Sequence, residues 1–440
     1  MLNRLQSVSY GIGRLGSSAL LSVFSLATVY VYWGQFHLDP VLTGWANAIG
    51  KIVIAVAGFF MGYVSDATVT RWGRRKPFVA VGAPLLALSF FLYFTPQYFV
   101  APGNESALFA YAALFNGLFH FAYALLLTPF QSWMAEITEP PERIGISRIQ
   151  NISNIAANAV GVLLGFLMPA LLSDPSDSRL PLLLVGLGIV EVALYLPSLA
   201  FVPVERKPAP KPDMVRELKT VLSNRNYMKW LLVQGLVSVA TVMVTSVILS
   251  YVTTVLGITD VSGSIGFAVV LLVAMVAFFY VWGHLAAKHG KGKTLLLSNL
   301  VLVLVLPFTL VLGQVDLPIG VVGLGYAFIA VGAVGLSGFQ LFPYAIVADL
   351  IHEDEIRTEE NRAGMYTGFN HLPLNIFQTL SYVISGYLLS MPDMPDKGYT
   401  SGLVWWGPMC AVFVLMGSLV LARTNVDPRL PKGSSQAEDF

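Results

Sequence analysis

Charge is what this chain has least of. Asp, Glu, Lys and Arg make up only 12% of its 440 residues, against about a quarter in a soluble domain, and 55% are hydrophobic. A water-soluble globule is thereby excluded. The mean hydropathy of +0.69 and the recurrence of apolar runs from Val8 to Leu421 indicate many membrane crossings rather than one anchor. Cysteine is almost missing: Cys410 stands alone in an apolar run, which excludes an internal disulfide and a cysteine metal cage. The formal net charge of +1 leaves no basic face for nucleic acid. There is no HExxH, no pair of intramembrane aspartates and no phosphate loop. Gly11-Ile12-Gly13-Arg14-Leu15-Gly16 fits GxGxxG only by its letters, since no strand precedes it. An enzyme, a cofactor and a bound metal are therefore not expected.

What is present divides at its polar, Pro and Gly clusters into twelve apolar segments, each near the ~20 residues a crossing needs. Their cores are Val8–Trp33, Val41–Ser65, Pro77–Thr95, Ala107–Phe130, Ile149–Leu172, Pro181–Val202, Trp230–Leu256, Ser262–Ala286, Thr294–Leu312, Pro318–Val347, Met365–Leu389 and Gly402–Leu421. The first has no cleavage site behind a short apolar core and reads as a retained helix. Of the 26 Lys and Arg residues, all fall on one side except Arg179, Lys397 and the in-helix Arg14 and Lys51. The positive-inside rule makes that side, with both termini, cytoplasmic, in a plasma or inner membrane. Tyr30, Tyr32 and Trp33, and Trp405 and Trp406, mark the opposite interface.

The expected class is an all-α polytopic membrane protein. A Pro-rich, partly amphipathic loop splits it six helices to six: residues 1–203, a connecting loop 204–229, residues 230–423 and a tail 424–440. The halves echo each other. Pro129-Phe130, Ala135-Glu136 and Arg143-Ile144-Gly145 recur as Pro343-Tyr344, Ala348-Asp349 and Arg362-Ala363-Gly364. More faintly, Gly62, Asp66 and Gly73-Arg74-Arg75-Lys76 recur as Gly283 and Gly290-Lys291-Gly292-Lys293, without the acid. Two pseudo-symmetric six-helix bundles follow.

These residues resemble the major facilitator superfamily and, within it, the melibiose-permease-like glycoside–pentoside–hexuronide:cation symporters. The resemblance is carried by Ser9-Tyr10-Gly11-Ile12-Gly13 with Gly16, by Met61-Gly62-Tyr63-Val64-Ser65-Asp66 with Arg71-Trp72-Gly73-Arg74-Arg75-Lys76-Pro77, and by Ala348-Asp349-Leu350-Ile351-His352-Glu353-Asp354-Glu355 with Asn361-Arg362-Ala363-Gly364-Met365-Tyr366. It implies a secondary transporter, working as a monomer, whose halves rock around a central site. Physically, Gly62 permits close helix packing, and Asp66 can pair with Arg71, Arg74 or Arg75. Glu136 near Arg143 and Asp349 near Arg362 are the matching candidates for a cytoplasmic gate. A solvated loop obeying the positive-inside rule explains the basic residues but not Gly62 and Asp66.

Ionisable groups inside the bilayer cost roughly 2.5–3.5 kcal/mol on insertion scales, and this chain has few: Arg14, Lys51, His120, Glu191 and His371. Helical spacing aligns Arg14 with Ser18, Ser22 and Ser25; Lys51 with Asn47 and Gly58; His120 with Asn116 and Tyr123, and further on Gln131. Asn151, Asn154 and Asn158 share a face, as do Gln234, Ser238, Thr241 and Thr245. Gln340 precedes Tyr344, and Asn370, His371 and Asn375 flank Pro373. Converging amides and hydroxyls suit a polyhydroxylated solute, although interhelical hydrogen bonds use the same residue types. Arg14 is also placed where it can snorkel, and each histidine can be a neutral core residue.

Departures from the family bear on coupling. Ile54 and Gly58 stand where sodium-coupled members carry acids in the second helix; Ser18, Leu127 and Asn375 replace two further acids and a lysine. The family's sugar contacts fall on Tyr123, Gln131, Gln340, Asn370 and His371, and only Tyr123 keeps the residue type. The sequence thus leads to a sugar or glycoside carrier coupled to protons through Glu191, or uncoupled. The alternative is an anionic solute, a hexuronide or an amphipathic lipid, held by Arg14 and Lys51.

Overall fold

The structure, a computed structural model, describes residues 2–138, 140–172, 178–204, 214–312, 320–358 and 363–427. Among the described residues twelve long helices run back and forth: Arg4–Gln35, Pro40–Ala67, Lys76–Tyr93, Glu105–Ile137, Pro140–Leu172 and Arg179–Phe201, then Arg225–Thr254, Val261–His289, Lys291–Leu310, Gly320–Thr358, Ala363–Leu389 and Gly402–Leu421. They are called helices one to twelve below. A short helix, Met214–Ser223, lies in the connection between the two sets of six. Among the described residues the only β pairing is an isolated bridge between Asp393 and Thr400.

Eleven of the twelve are long and apolar enough to span a bilayer by composition alone. Helix eleven is the other, and its 27 residues reach about 40 Å at 1.5 Å per residue. Its polar group of Asn370, His371, Asn375 and Gln378 lowers the hydropathy of a helix that packs between helices two and seven. Backbone polar groups in hydrocarbon must be satisfied within the segment, so long runs of this composition become helices. Their ends are set locally. Asn3 and Gln6 form a reciprocal capping box at helix one. The Asp39 carboxylate accepts from Val41 N–H at 2.8 Å and Leu42 N–H at 3.0 Å, with Pro40 opening helix two. Pro129 and Pro343 lie inside helices four and ten at matching points of the two halves.

The halves meet along helices two and eleven, five and eight, and one and seven. At the end remote from the Arg74 and Lys291 loops, helices two and eleven cross backbone to backbone. A Cβ on Gly44 would lie 2.6 Å from the Tyr382 carbonyl oxygen and 3.0 Å from the Gly386 Cα, and one on Gly386 would lie 2.7 Å from the Pro40 oxygen. Phe166 of helix five and Phe267 of helix eight touch with ring centroids 5.5 Å apart. This end is shut. Toward the other, basic end Gln131, Asn151, Gln340 and His371 are exposed, and Tyr344 is 80% exposed.

Candidate functional site

Helices one, four, seven, ten and eleven each bring a polar side chain to the space between the halves. Gln234, Pro343, Tyr344, Val347, Asn370 and His371 line a cavity of about 40 Å³. That is room for a few water molecules. Arg14 is half-buried. Its guanidinium interacts with the Tyr123 hydroxyl and lies within electrostatic reach of His371 and Tyr195. Tyr123 in turn faces Tyr344 across the halves. No carboxylate forms an ion pair with Arg14 among the described residues, and its Nε is buried without a hydrogen-bond partner, as are Asn370 Oδ1, Gln234 Oε1 and Ser18 Oγ. Gln234 and Asn370 thus bring unmet acceptors to the cavity wall, and Arg14 keeps an unmet charged donor within electrostatic reach of His371 on the same wall.

Lys51 belongs to a different group. It is 8% exposed and lies within reach of His120, whose Nδ1 is 3.0 Å from the Asn116 carbonyl oxygen. Asn116 donates to Asn47 Oδ1 at 2.7 Å; Thr28 donates to the same oxygen at 2.6 Å and bonds the Tyr93 hydroxyl. This network knits helices one to four together. Arg14 and Lys51, paired in the sequence reading, are therefore held in separate surroundings.

Glu191 has no cationic partner among the described residues. It is fully buried and wedged against helix one, where a Cβ on Gly16 would come within 2.9 Å of the Glu191 Cα. Ser17 Oγ donates to its Oε1 at 2.9 Å, and the Tyr195 hydroxyl is 2.7 Å from Ser17 Oγ. The chain Tyr195, Ser17, Glu191 leads from the surroundings of Arg14 to the acid. Sequence reading missed Ser17 and Tyr195. The available signal was spacing: Ser17 is three residues after Arg14, and Tyr195 four after Glu191, each on its partner's helical face.

Several polar residues are spent on packing. Asn158 accepts from Ser22 at 2.7 Å, and Ser238, Thr241 and Thr245 bond back to their own helix. Asn375 donates to the His371 carbonyl at 2.8 Å. Asn151 is exposed and Asn154 half-buried on helix five.

At the basic end, Arg75 donates to Ser65, Asp66 and Glu136, and Arg74 pairs with Glu136 at 3.0 Å. Burial alone would lower the Arg75 pKa; the Glu136 and Asp66 carboxylates outweigh it and raise it. Lys291 pairs with Asp349. The partners named here all belong to the same half as the base they bind. Arg71 lies over the Trp72 ring at 5.6 Å, outside the cluster. The close crossing expected at Gly62 is not found: a Cβ there would meet only Thr128, at an ordinary 3.7 Å. The Arg143 side chain and Arg362 lie outside the described residues.

Two related six-helix bundles enclosing a polar site, shut at one end and reachable from the other, define a secondary transporter. Residues 9–427 match the family described as MFS/sugar transport protein, and the chain belongs to it. An uncharacterised symporter of Synechocystis sp. is 23% identical, over 94% of this chain and 92% of its own length. A glucuronide carrier protein homolog of Escherichia coli is 22% identical, over 87% and 83%. Among solved structures, the inward-open xylose transporter XylE from E. coli aligns with TM-score 0.61 at 14% identity over 98% of this chain and 96% of its own. An inward-facing bacterial homolog of the lysosomal transporter Spinster aligns with TM-score 0.69 at 13% identity over 98% and 100%. At such identities these structures show the shared fold.

Proposed function

We propose that the protein is a proton-coupled symporter, acting as a monomer, for a sugar or glycoside that bears a negatively charged group. The carrying observation is the Arg14 guanidinium, which has no carboxylate partner among the described residues, keeps an unmet donor and lies within electrostatic reach of His371, a residue that shares its cavity with Gln234 and Asn370 and their unmet acceptors. A carboxylate answers the first and ring hydroxyls the others. The sodium-site acids are replaced, as the resemblance implies, so the coupling ion is a proton, and Glu191 is its carrier. A carboxyl with no cation beside it is held at lower cost with its proton on. The basic end faces the cytoplasm by the positive-inside rule, in an inner membrane, as the symporter relatives of bacteria suggest. The name of the glucuronide carrier homolog is in line with this solute class.

In proteoliposomes, Glu191→Gln is expected to abolish uptake of a glucuronide driven by an inward proton gradient while leaving glucuronide exchange within about threefold of the unaltered protein. Gradient-driven accumulation that survives in Glu191→Gln removes Glu191 as the carrier.

A further inference from the structure

The second half repeats the basic motif of the first without its acid. In the first half Asp66, four residues after Gly62, and Glu136 of helix four both bind Arg75. In the second, the residue four after Gly283 is Ala287, and Asp349, the counterpart of Glu136, binds Lys291. A carboxylate from elsewhere occupies the neighbourhood. Asp427, past the end of helix twelve, accepts from Lys291 N–H at 2.8 Å and from Gly292 N–H at 2.9 Å. The segment leading to it is fixed: Val426 is 2% exposed within the apolar cluster of Trp230, Leu295 and Leu421, and Lys229 Nζ donates to the Arg423 carbonyl at 3.3 Å. A Cβ on Gly290 would meet the Asp427 carboxylate at 2.8 Å and one on Gly292 at 3.1 Å, so both glycines leave it room.

We propose that Asp427 supplies the acid missing from the second half's gate and, as a positioning residue, sets the balance between the states open and closed at the basic end. Closure brings Arg71, Arg74 and Arg75 of one half toward Lys288, Lys291 and Lys293 of the other. At the basic motif itself the first half sets two acids, Asp66 and Glu136, against this repulsion, whereas among the described residues of the second half Asp349 is the helix-ten acid that binds the motif; Asp354 and Glu355, further along helix ten, pair with Arg357 and His352. Asp427 restores the match. The inference is independent of the solute, because its test uses none.

The test reads the distance between spin labels at Val69→Cys and Ile356→Cys, exposed positions at the basic ends of the two halves, in the full chain with Cys410→Ala. Asp427→Asn keeps a side-chain acceptor for the helix cap and removes only the charge. The closed fraction relative to the open one is expected to fall at least fivefold. The effect should fade at 1 M salt, where screening acts over about 3 Å, and Ala287→Asp in the same chain should restore the original ratio. A ratio within twofold of the starting protein overturns the proposal. So does a change that neither responds to salt nor is restored by Ala287→Asp, since that marks a helix cap alone. If Asp427→Asn does not yield folded protein, Ala287→Asp alone must raise the closed fraction, and an unchanged ratio is equally fatal.

Discussion

Arg14→Gln is expected to weaken binding of an acidic glycoside at least thirtyfold while leaving its neutral analogue within about threefold. Arg14 interacts with Tyr123 and faces His371, with no acid paired to it among the described residues. A solute carboxylate would supply its only counter-charge, and truncating one partner of a buried charge pair costs about 2–5 kcal/mol, at 1.4 kcal/mol per tenfold. Arg14→Lys should recover part of the loss, because it keeps the charge but not the planar fork that grips a carboxylate with two bonds. Calorimetric titration of both analogues against the three proteins checks this. Equal losses for both would assign Arg14 to the fold rather than to charge recognition.

Gly386→Val should open the end that is now shut. The atoms around a Cβ at Gly386 are the Pro40 oxygen at 2.7 Å and the Gly44 and Val41 Cα atoms at 3.2 Å. All are backbone and cannot turn aside as a side chain would. Overpacking of this kind costs about 1–3 kcal/mol. Here the strain is relieved by separating helices two and eleven, so the cost appears as a 5–150-fold shift toward the alternative state. Labels at Tyr98→Cys and Met391→Cys, exposed at the same end, should move apart. Gly58→Val provides the control: it lies on helix two with no atom within 4 Å of its Cβ position, and the label distance should not change. An unchanged distance in Gly386→Val, with the protein still folded, contradicts the rocking of the halves about this crossing.

Much of the architecture was legible because the bilayer imposes it. Apolar runs of ~20 residues have one stable backbone solution, and the repeats Pro129-Phe130 and Pro343-Tyr344 carried the two-bundle arrangement. Helix eleven shows the same rule from the other side: its site-lining residues are what make it less apolar than the rest. The site was legible in depth but not in direction. Spacing along one helix says which residues share a face, yet not which neighbour that face meets. Arg14 and Lys51 therefore read as one anion site, although the fold gives one Tyr123 and His371 and the other His120. Glu191 was visible as a buried acid, whereas its link to Tyr195 through Ser17 depends on helices one and six touching at Gly16. At the basic end Asp66 takes Arg75, the last of Arg71, Arg74 and Arg75, with Arg71 over Trp72; Glu136 and Asp349, read beside Arg143 and Arg362, pair among the described residues with Arg74 and Arg75 and with Lys291, because sequence proximity to a loop arginine does not say which helix end lies alongside.

The most direct test of a central site for an acidic polyol is thermal unfolding of the purified protein against matched pairs of compounds, each a glucuronide and the corresponding neutral glucoside. A ligand bound only by the folded state stabilises it by RT ln(1 + [L]/Kd), about 2.7 kcal/mol at a hundredfold excess over Kd. The expected result is a rise in Tm with the glucuronide, little or none with the glucoside, and loss of the rise in Arg14→Gln. A rise with the glucoside that equals or exceeds that with the glucuronide, and persists in Arg14→Gln, would contradict the account.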